Sequence, residues 1–478
     1  MLPEKGRGAT MPQPEFTVHS AVDGIAWPGI PAANGAAMLS ILFQLESSQW
    51  WPEERLLARQ RDQLARLLSH AAAQVPFYRG RLAQGLSELP VDSSWMEAWR
   101  RIPLLRREEI QAADDAEAML ADALPAGHGD WREIFTSGST GQPIRSVRSQ
   151  LWELVWSAFT VRDHLWHRRD LAGTFATIRE SGKGKAPWPE GTESASWGYS
   201  TDTVFATGPL VGLNITTPID RQVEWLLRRD PDYLLTHPSI AKALAEACLT
   251  QGVRPARLKE VITISETLRP GVREACHTAW GVPVSDIYST REAGYLALQC
   301  PYGEGYHVQS ESVFLEVLDN AGQPCGPGQV GRVVVTPLHN FAMPLIRYDI
   351  GDLAEVGPPC FCGRGLPVLR RILGRTQNML LLPSGERRWP LLSSPDIGAL
   401  LSAAPPLQGY QLAQTALHRI ELRLVVARPL ASEEEKALRH WVQEKFGPTF
   451  EITLVYLPDL PRTASGKFED FRCEVVVP

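Results

Sequence analysis

The sequence has little cysteine, no basic tract, no long apolar run, and no lysine after its most glycine-rich polar loop. Seven cysteines in 478 residues are too sparse for a disulfide scaffold, so their expected state is reduced thiol or metal ligand. The 48 basic residues are outnumbered by 54 acidic ones, a formal charge of −6. No Lys/Arg cluster stands out, and nucleic acid is not an expected partner. The run MLSILF and the broken apolar stretches before it fall short of the roughly 18 residues of a membrane span. Neither a span nor an export signal is expected, and a cytoplasmic location follows by default. The last absence is the most specific. The stretch TSGSTGQP, residues 136–143, packs two glycines and four hydroxyls into six residues, yet no Gly-Lys-Ser/Thr step follows, which excludes a Walker-type loop.

What is present reads as a large α/β protein. The 44% hydrophobic and 21% charged fractions are those of an ordinary globular chain, and the length exceeds one average domain. Residues 1–35, rich in Gly, Ala and Pro, read as a loose leader. Residues 52–72 form an amphipathic helix with Leu57, Leu64, Leu68 and Ala71 on one face. From Glu133 onward short β-rich runs (GTFATI, DYLLTH, EVITIS) alternate with helical ones (SIAKALAEACLTQG, LRPGVREACHTAWG), the signature of parallel sheet in α/β layers. Residues 312–356 are mostly strands and turns. Beyond ILGRTQNML, residues 372–380, a unit of about one hundred residues follows, with strands HRIELRLVVA and FEITLVYL around the helix SEEEKALRHWVQEKFG. The expected organisation is a large unit over 36–373, a connection at 374–378 and a small, mobile α+β unit over 379–478.

Four segments carry chemistry. In TSGSTGQP, small residues after a strand turn backbone N–H groups and hydroxyls toward one anion, although such clusters are also ordinary surface turns. In IYSTREAGY, Tyr288 and Glu292 lie four apart at an expected strand-to-helix change, where a ring stacks on a base and a carboxylate holds magnesium; a plain surface turn is the bland alternative. In LIRYDIGD an apolar strand ends in a turn bearing Asp349 and Asp352, suited to ribose hydroxyls or to a simple Asx turn. In LPRTASGKFE a lysine, Lys467, follows a Ser-Gly turn; most such lysines are merely exposed.

These segments, in this order and with ILGRTQNML between the third and fourth, resemble the adenylate-forming superfamily of acyl-CoA synthetases, peptide-synthetase adenylation domains and luciferases. QVPFYRGRL, SETL and PLIRYDIGD…GRGLPVLRRILGR are similar to its phenylacetate–CoA ligase and CapK-like branch, over roughly residues 45–478. The resemblance implies that Thr136, Ser137, Gly138, Ser139, Thr140 and Gly141 wrap the phosphates of ATP. It implies that Ser265, Glu266 and Thr267 line the adenine, that Tyr288 stacks near it, and that Asp352 and Arg375 attend the ribose. Glu292 then ligates Mg²⁺, and Lys467 is the catalytic cation touching the carboxylate and α-phosphate. Two positions depart from the family: Arg291 stands where Thr or Ser usually precedes the glutamate, and Gln377-Asn378 replace an acidic pair after the hinge.

The implied activity is ATP-dependent activation of a carboxylic acid, aryl or arylacetic by branch, with transfer to CoA. A carrier-protein thiol or an amine is the alternative acceptor, and a non-catalytic binding protein of the same fold is the reading from another class. His237, Pro238 and Ser239 are candidates for the acid pocket, or simply the start of a capped helix. Cys300 and His307 bracket PYGEGY while Cys360 and Cys362 form CFCG. Three thiols and one imidazole suit a closed structural zinc site, as in similar chains; four unrelated loop residues is the alternative. The sequence carries no signal that fixes oligomeric state, and a homodimer stays open.

Overall fold

The structure is a computed structural model that describes residues 16–82, 88–112, 117–135, 145–182, 184–375, 380–385, 387–388, 394–461, 468–469 and 471–475. A short hairpin of β1 (Trp131–Phe135) and β2 (Arg145–Ser149) stands apart from the main sheet. The main sheet runs through β3 (Phe175–Arg179), β4 (Thr192–Ser194), β5 (Leu210–Asn214), β6 (Tyr233–Thr236), β7 (Glu260–Ile264), β8 (Val284–Thr290), β9 (Gly294–Gln299), β10 (Tyr306–Val308), β11 (Val313–Leu318), β12 (Val330–Pro337), β13 (Tyr348–Val356) and β14 (Val368–Arg375). Its order is β11-β12-β13-β14-β10-β9-β8-β7-β6-β3-β5-β4.

The strands β5, β3, β6, β7 and β8 pair in parallel. They are largely buried, as strands covered on both faces are; all five residues of β7 and the first five of β8 are buried. The crossover helices Pro238–Gln251 and Pro270–Trp280 each begin on a proline and end at a left-handed glycine, Gly252 (φ 65°) and Gly281 (φ 72°), the asymmetry expected of helix ends. They cover one face of the sheet around Trp225, Leu244 and Cys276. Helices Ala33–Ser48 and Gln150–Trp166 cover the other around Met38, Phe159 and Tyr295. From β9 onward the ladder is antiparallel, which is the small β-rich part, with its own core about Val333, Val335 and Tyr348.

In the described part of the leader, partly buried Phe16 and Val18 pack on the main core and Val18 bridges to Phe205, most of residues 19–32 are exposed, and a helix begins at Ala33. One expectation changes. IYSTREAGY does not pass from strand to helix. It turns from β8 into antiparallel β9, because GYLALQ is fully buried between strands and offers no polar helix face.

After β15 (Leu380–Leu381) and β16 (Arg387–Arg388) comes a four-stranded sheet of β17 (Leu407–Ala416), β18 (Arg419–Val426), β19 (Glu451–Tyr456) and β20 (Phe471–Cys473), ordered β19-β18-β17-β20. Helix Ser432–Phe446 packs Leu438, Trp441 and Val442 against Leu412, Leu422 and Leu424. This smaller α+β unit has a core of its own. Among the described residues no helix is long and apolar enough to cross a membrane.

Candidate active site

The carboxyl ends of β3, β6, β7 and β8 all reach one edge of the sheet, where open α/β sheets form their clefts. A cavity of about 1040 Å³ opens there and is walled by both units: Tyr288, Glu292 and Asp352 on one side, Tyr410, Leu460 and Phe468 on the other. Just past β7, Ser265 adopts φ 77°, a left-handed conformation uncommon for a residue with a side chain and worth a functional look. Ser265, Glu266 and Thr267 all line the cavity.

The Tyr288 hydroxyl donates to Asp352 Oδ2 at 2.8 Å, joining two segments that the sequence keeps 64 residues apart. Asp352 is paired across β13 and β14 with Arg375, so those two positions also meet. Glu292 is buried at the tip of the β8–β9 turn, held by the Ala293 N–H donating to Thr290 Oγ1 at 3.0 Å. Gly294 follows at φ 89°, and a Cβ there would sit 3.2 Å from the Trp152 ring; both facts require glycine.

Residues 136–144, which hold Thr136 through Gly141, lie outside the described residues, as does Lys467. Their flanks are described. The loop spans the ends of β1 and β2, whose register sets Phe135 opposite Arg145. Arg145 is committed to Glu133 at 2.5 Å and so does not stand in for a Walker lysine. A different cation, which sequence reasoning passed over, does approach the site. Arg148 on β2 donates to the Arg291 carbonyl and lies over the rings of Trp152 and Trp156 at 4.2 and 4.6 Å. Burial lowers its pKa to about 10, with Glu153 and Glu292 opposing. The only signal in the sequence is an Arg followed at helical spacing by two tryptophans, which alone says nothing of phosphate. The residue after Lys467 touches the site directly: Phe468 N–H donates to Glu266 Oε1 at 2.7 Å.

His237, Pro238 and Ser239 line the same cavity and also begin the helix Pro238–Gln251. The segment thus both faces the cavity and starts the helix. Its cap is supplied across the cleft, with Ser239 N and Oγ donating to Glu266 at 3.0 and 3.1 Å. Below lies a buried ion cluster in which Arg169 reaches Asp163 at 2.5 Å and Glu260 at 2.8 Å and donates to His164 Nδ1 at 3.0 Å. Burial and then the Arg169 charge pull the His164 pKa down to about 3, so it is a neutral acceptor. Asp286, between Thr263 and Tyr306 hydroxyls at 2.6 and 2.8 Å, is pushed up to about 6 by burial.

Away from the cleft, the ligand atoms of Cys300, His307, Cys360 and Cys362 all lie within 4.8 Å of one another. The Cys300–Cys360 sulfurs are 3.7 Å apart and Cys362 Sγ is 3.3 Å from His307 Nε2. Tetrahedral edges for zinc are roughly 3.8 Å for S···S and 3.5 Å for S···N, given bonds of ~2.3 and ~2.0 Å. Burial lowers the His307 pKa to about 4, which keeps the imidazole in the neutral form that a metal needs. The donor set and its spacing fit a closed zinc site.

Comparison with known proteins bears on the same chain. The family model described as CapK C-terminal domain matches residues 402–471. A phenylacetate-coenzyme A ligase of Thermus thermophilus is 27% identical over 448 residues, 87% of this chain and 96% of that one. Another, from Pseudomonas putida, is 26% identical over 339 residues, 68% of this chain and 72% of that one. A crystal structure of 2-hydroxyisobutyryl-CoA ligase in the postadenylation state, with an acyl-AMP bound, superposes with a TM-score of 0.66 at 19% identity, covering 88% of this chain and 90% of that one.

Proposed function

We propose, for a chain that belongs to the adenylate-forming ligase superfamily in its phenylacetate–CoA ligase and CapK-like branch, that it activates an aryl or arylacetic acid with ATP and passes the acyl group to CoA. The carboxylate attacks the α-phosphate of ATP, forming the acyl–O–P bond as the bond to pyrophosphate breaks. The CoA thiol then attacks the acyl carbon and AMP leaves. The observation that carries this reading is the convergence of Tyr288, Asp352, Glu292 and Ser265–Glu266–Thr267 on one cavity, closed by a small unit whose Phe468 bonds Glu266.

The roles follow from charge and shape. Tyr288 stacks near the base while its hydroxyl fixes Asp352, whose carboxylate accepts the ribose hydroxyls beside Arg375. The loop 136–141 supplies N–H and O–H donors to phosphate oxygens. Glu292 would hold Mg²⁺, which when bound neutralises phosphate charge. Lys467 meets the charge that builds on oxygen in the transition state, an electrostatic contribution of about 3 kcal/mol or more. Arg148 and Arg291 add positive charge on the loop side. After adenylation the small unit turns about residues 374–378 and withdraws Lys467, which frees the acyl carbon for the thiol. Cys300, His307, Cys360 and Cys362 would hold zinc as a staple, with no open position for chemistry.

The test is ATP–pyrophosphate exchange across a panel of acids, repeated with hydroxylamine, CoA and amines as acceptors. Acid-dependent exchange followed by CoA thioester formation is the expected result. Nucleotide binding without exchange for any acid would sink the enzymatic reading in favour of a binding protein.

A further inference from the structure

The inner end of the cavity differs from its nucleotide end. Trp156, Thr160, Phe175, Trp197 and Tyr295 line it, and their rings pack on one another, with 4.8 Å between the Phe175 and Trp197 centroids and 5.2 Å between Trp156 and Tyr295. The strand β3 runs from this aromatic wall at Phe175 to a cation, Arg179, at its carboxyl end. Phe175, Thr177 and Arg179 all line the cavity, as alternate residues on one face of a strand must.

Arg179 is the last residue of β3. Between β3 and β7 lies only β6, so Arg179 stands two strands, roughly 10 Å, from the Ser265 segment and farther from Tyr288. That is the acid side of the site. Among the described residues no ion pair reaches its guanidinium. Three of the acids that line the same cavity are engaged elsewhere: Asp163 by Arg169, Glu266 by Ser239 and Phe468, and Asp286 by Thr263 and Tyr306. Glu180, the next residue, is exposed.

Arg179 is half-buried, and a guanidinium partly withdrawn from water without an ion pair costs free energy. Burial here lowers the Arg179 pKa, with Arg291 adding to the effect and Tyr295 and the exposed Glu180 opposing it. An anion brought by the ligand removes that cost and gains a bidentate, charge-assisted contact. A purely apolar acid leaves the cost in place.

Resting on the adenylation reading above, we propose that the acid taken by this protein carries a second anionic group (carboxylate, sulfonate or phosphate) on an aromatic body, and that Arg179 binds it. The first carboxylate reacts at the nucleotide, and the second anchors the far end of the ring.

Equilibrium titration of the full-length protein with phenylacetate and with 3- and 4-carboxyphenylacetate tests this. One carboxylated acid binds at least tenfold more tightly than phenylacetate. Arg179→Leu narrows that ratio to threefold or less by weakening the carboxylated acid, and Arg179→Lys retains part of it. Equal affinities in the parent protein overturn the proposal. So does an Arg179→Leu protein that weakens both acids alike, since Arg179 would then serve the reacting carboxylate. If the leucine variant fails to melt cooperatively, the parent ratio and the lysine variant decide. Pyrophosphate exchange run alongside separates the two readings. Exchange only with monoanionic acids removes the Arg179 assignment and leaves adenylation standing, whereas no exchange with any acid removes adenylation itself.

Discussion

At Lys467 the proposed chemistry depends on a single ammonium group, a compact charge on a long stem. Lys467→Ala is expected to lower acid-dependent pyrophosphate exchange by about 10²-fold or more, while a supplied acyl-adenylate still reacts with CoA. Equal exchange in variant and parent would remove the lysine from the mechanism. At Tyr288 the hydroxyl and the ring are separable. Tyr288→Phe keeps the ring but loses the 2.8 Å bond to Asp352, a net contribution of about 1 kcal/mol. The expected result is a KM for ATP raised about fivefold with kcat nearly constant, read from steady-state exchange kinetics. Tyr288, Glu292 and Asp352 were singled out by their motifs, and the fold brings them to one cavity. Arg148 and Arg179 were not, because a lone arginine in a strand carries no mark of the cavity that it faces.

Among the elements, the β8–β9 turn holds Glu292, and the sequence misled about it. Glu292 and its neighbours read as a helix start, but the turn closes because Gly294 reaches φ 89° against Trp152 and the run after it is fully buried. Gly294→Val, with both strain and a clash, is expected to lower the thermal midpoint and to cut exchange at least tenfold; a variant with unaltered melting and activity would show that the turn tolerates a side chain. The Cys/His cluster joins the β9–β10 turn to the CFCG segment before β14. Elemental analysis should find about one zinc per chain, lost together with several degrees of thermal midpoint in Cys360→Ser. A metal-free, equally stable parent protein would end that assignment. Here the CFCG spacing together with the family resemblance pointed to the four residues that the fold brings together.

For the whole molecule, the buried cluster of Asp163, His164, Arg169 and Glu260 ties the helix Gln150–Trp166 to β7 beneath the cavity. His164 has an ordinary pKa of 6.5 and a folded value of about 3, so the unfolded chain binds more protons between those limits. Its contribution to stability is fully present above pH 6.5 and is lost as the pH falls toward 3, on the order of 5 kcal/mol across the full range. Melting from pH 5 to 7 should therefore raise the midpoint of the parent protein more than that of His164→Gln, whose amide oxygen still accepts from Arg169. Parallel pH profiles would contradict the assignment. Asp286 acts in the opposite sense: its raised value means that stability falls as the pH climbs from about 4 to about 6. The sequence by itself determined the alternating α/β layers, the separate α+β unit at the C-terminal end and several residues that line the cavity between them. These follow from periodicity, proline and glycine placement, and contiguous motifs, all local properties of the chain. Only the tertiary structure decided that Tyr288 bonds Asp352, that Glu266 caps a helix and receives Phe468 from the small unit, and that Arg179 lines the same cavity as an aromatic wall. Those contacts join residues tens to hundreds of positions apart, and parallel strand order, which brings the ends of β3, β6, β7 and β8 to one edge, is what makes them neighbours.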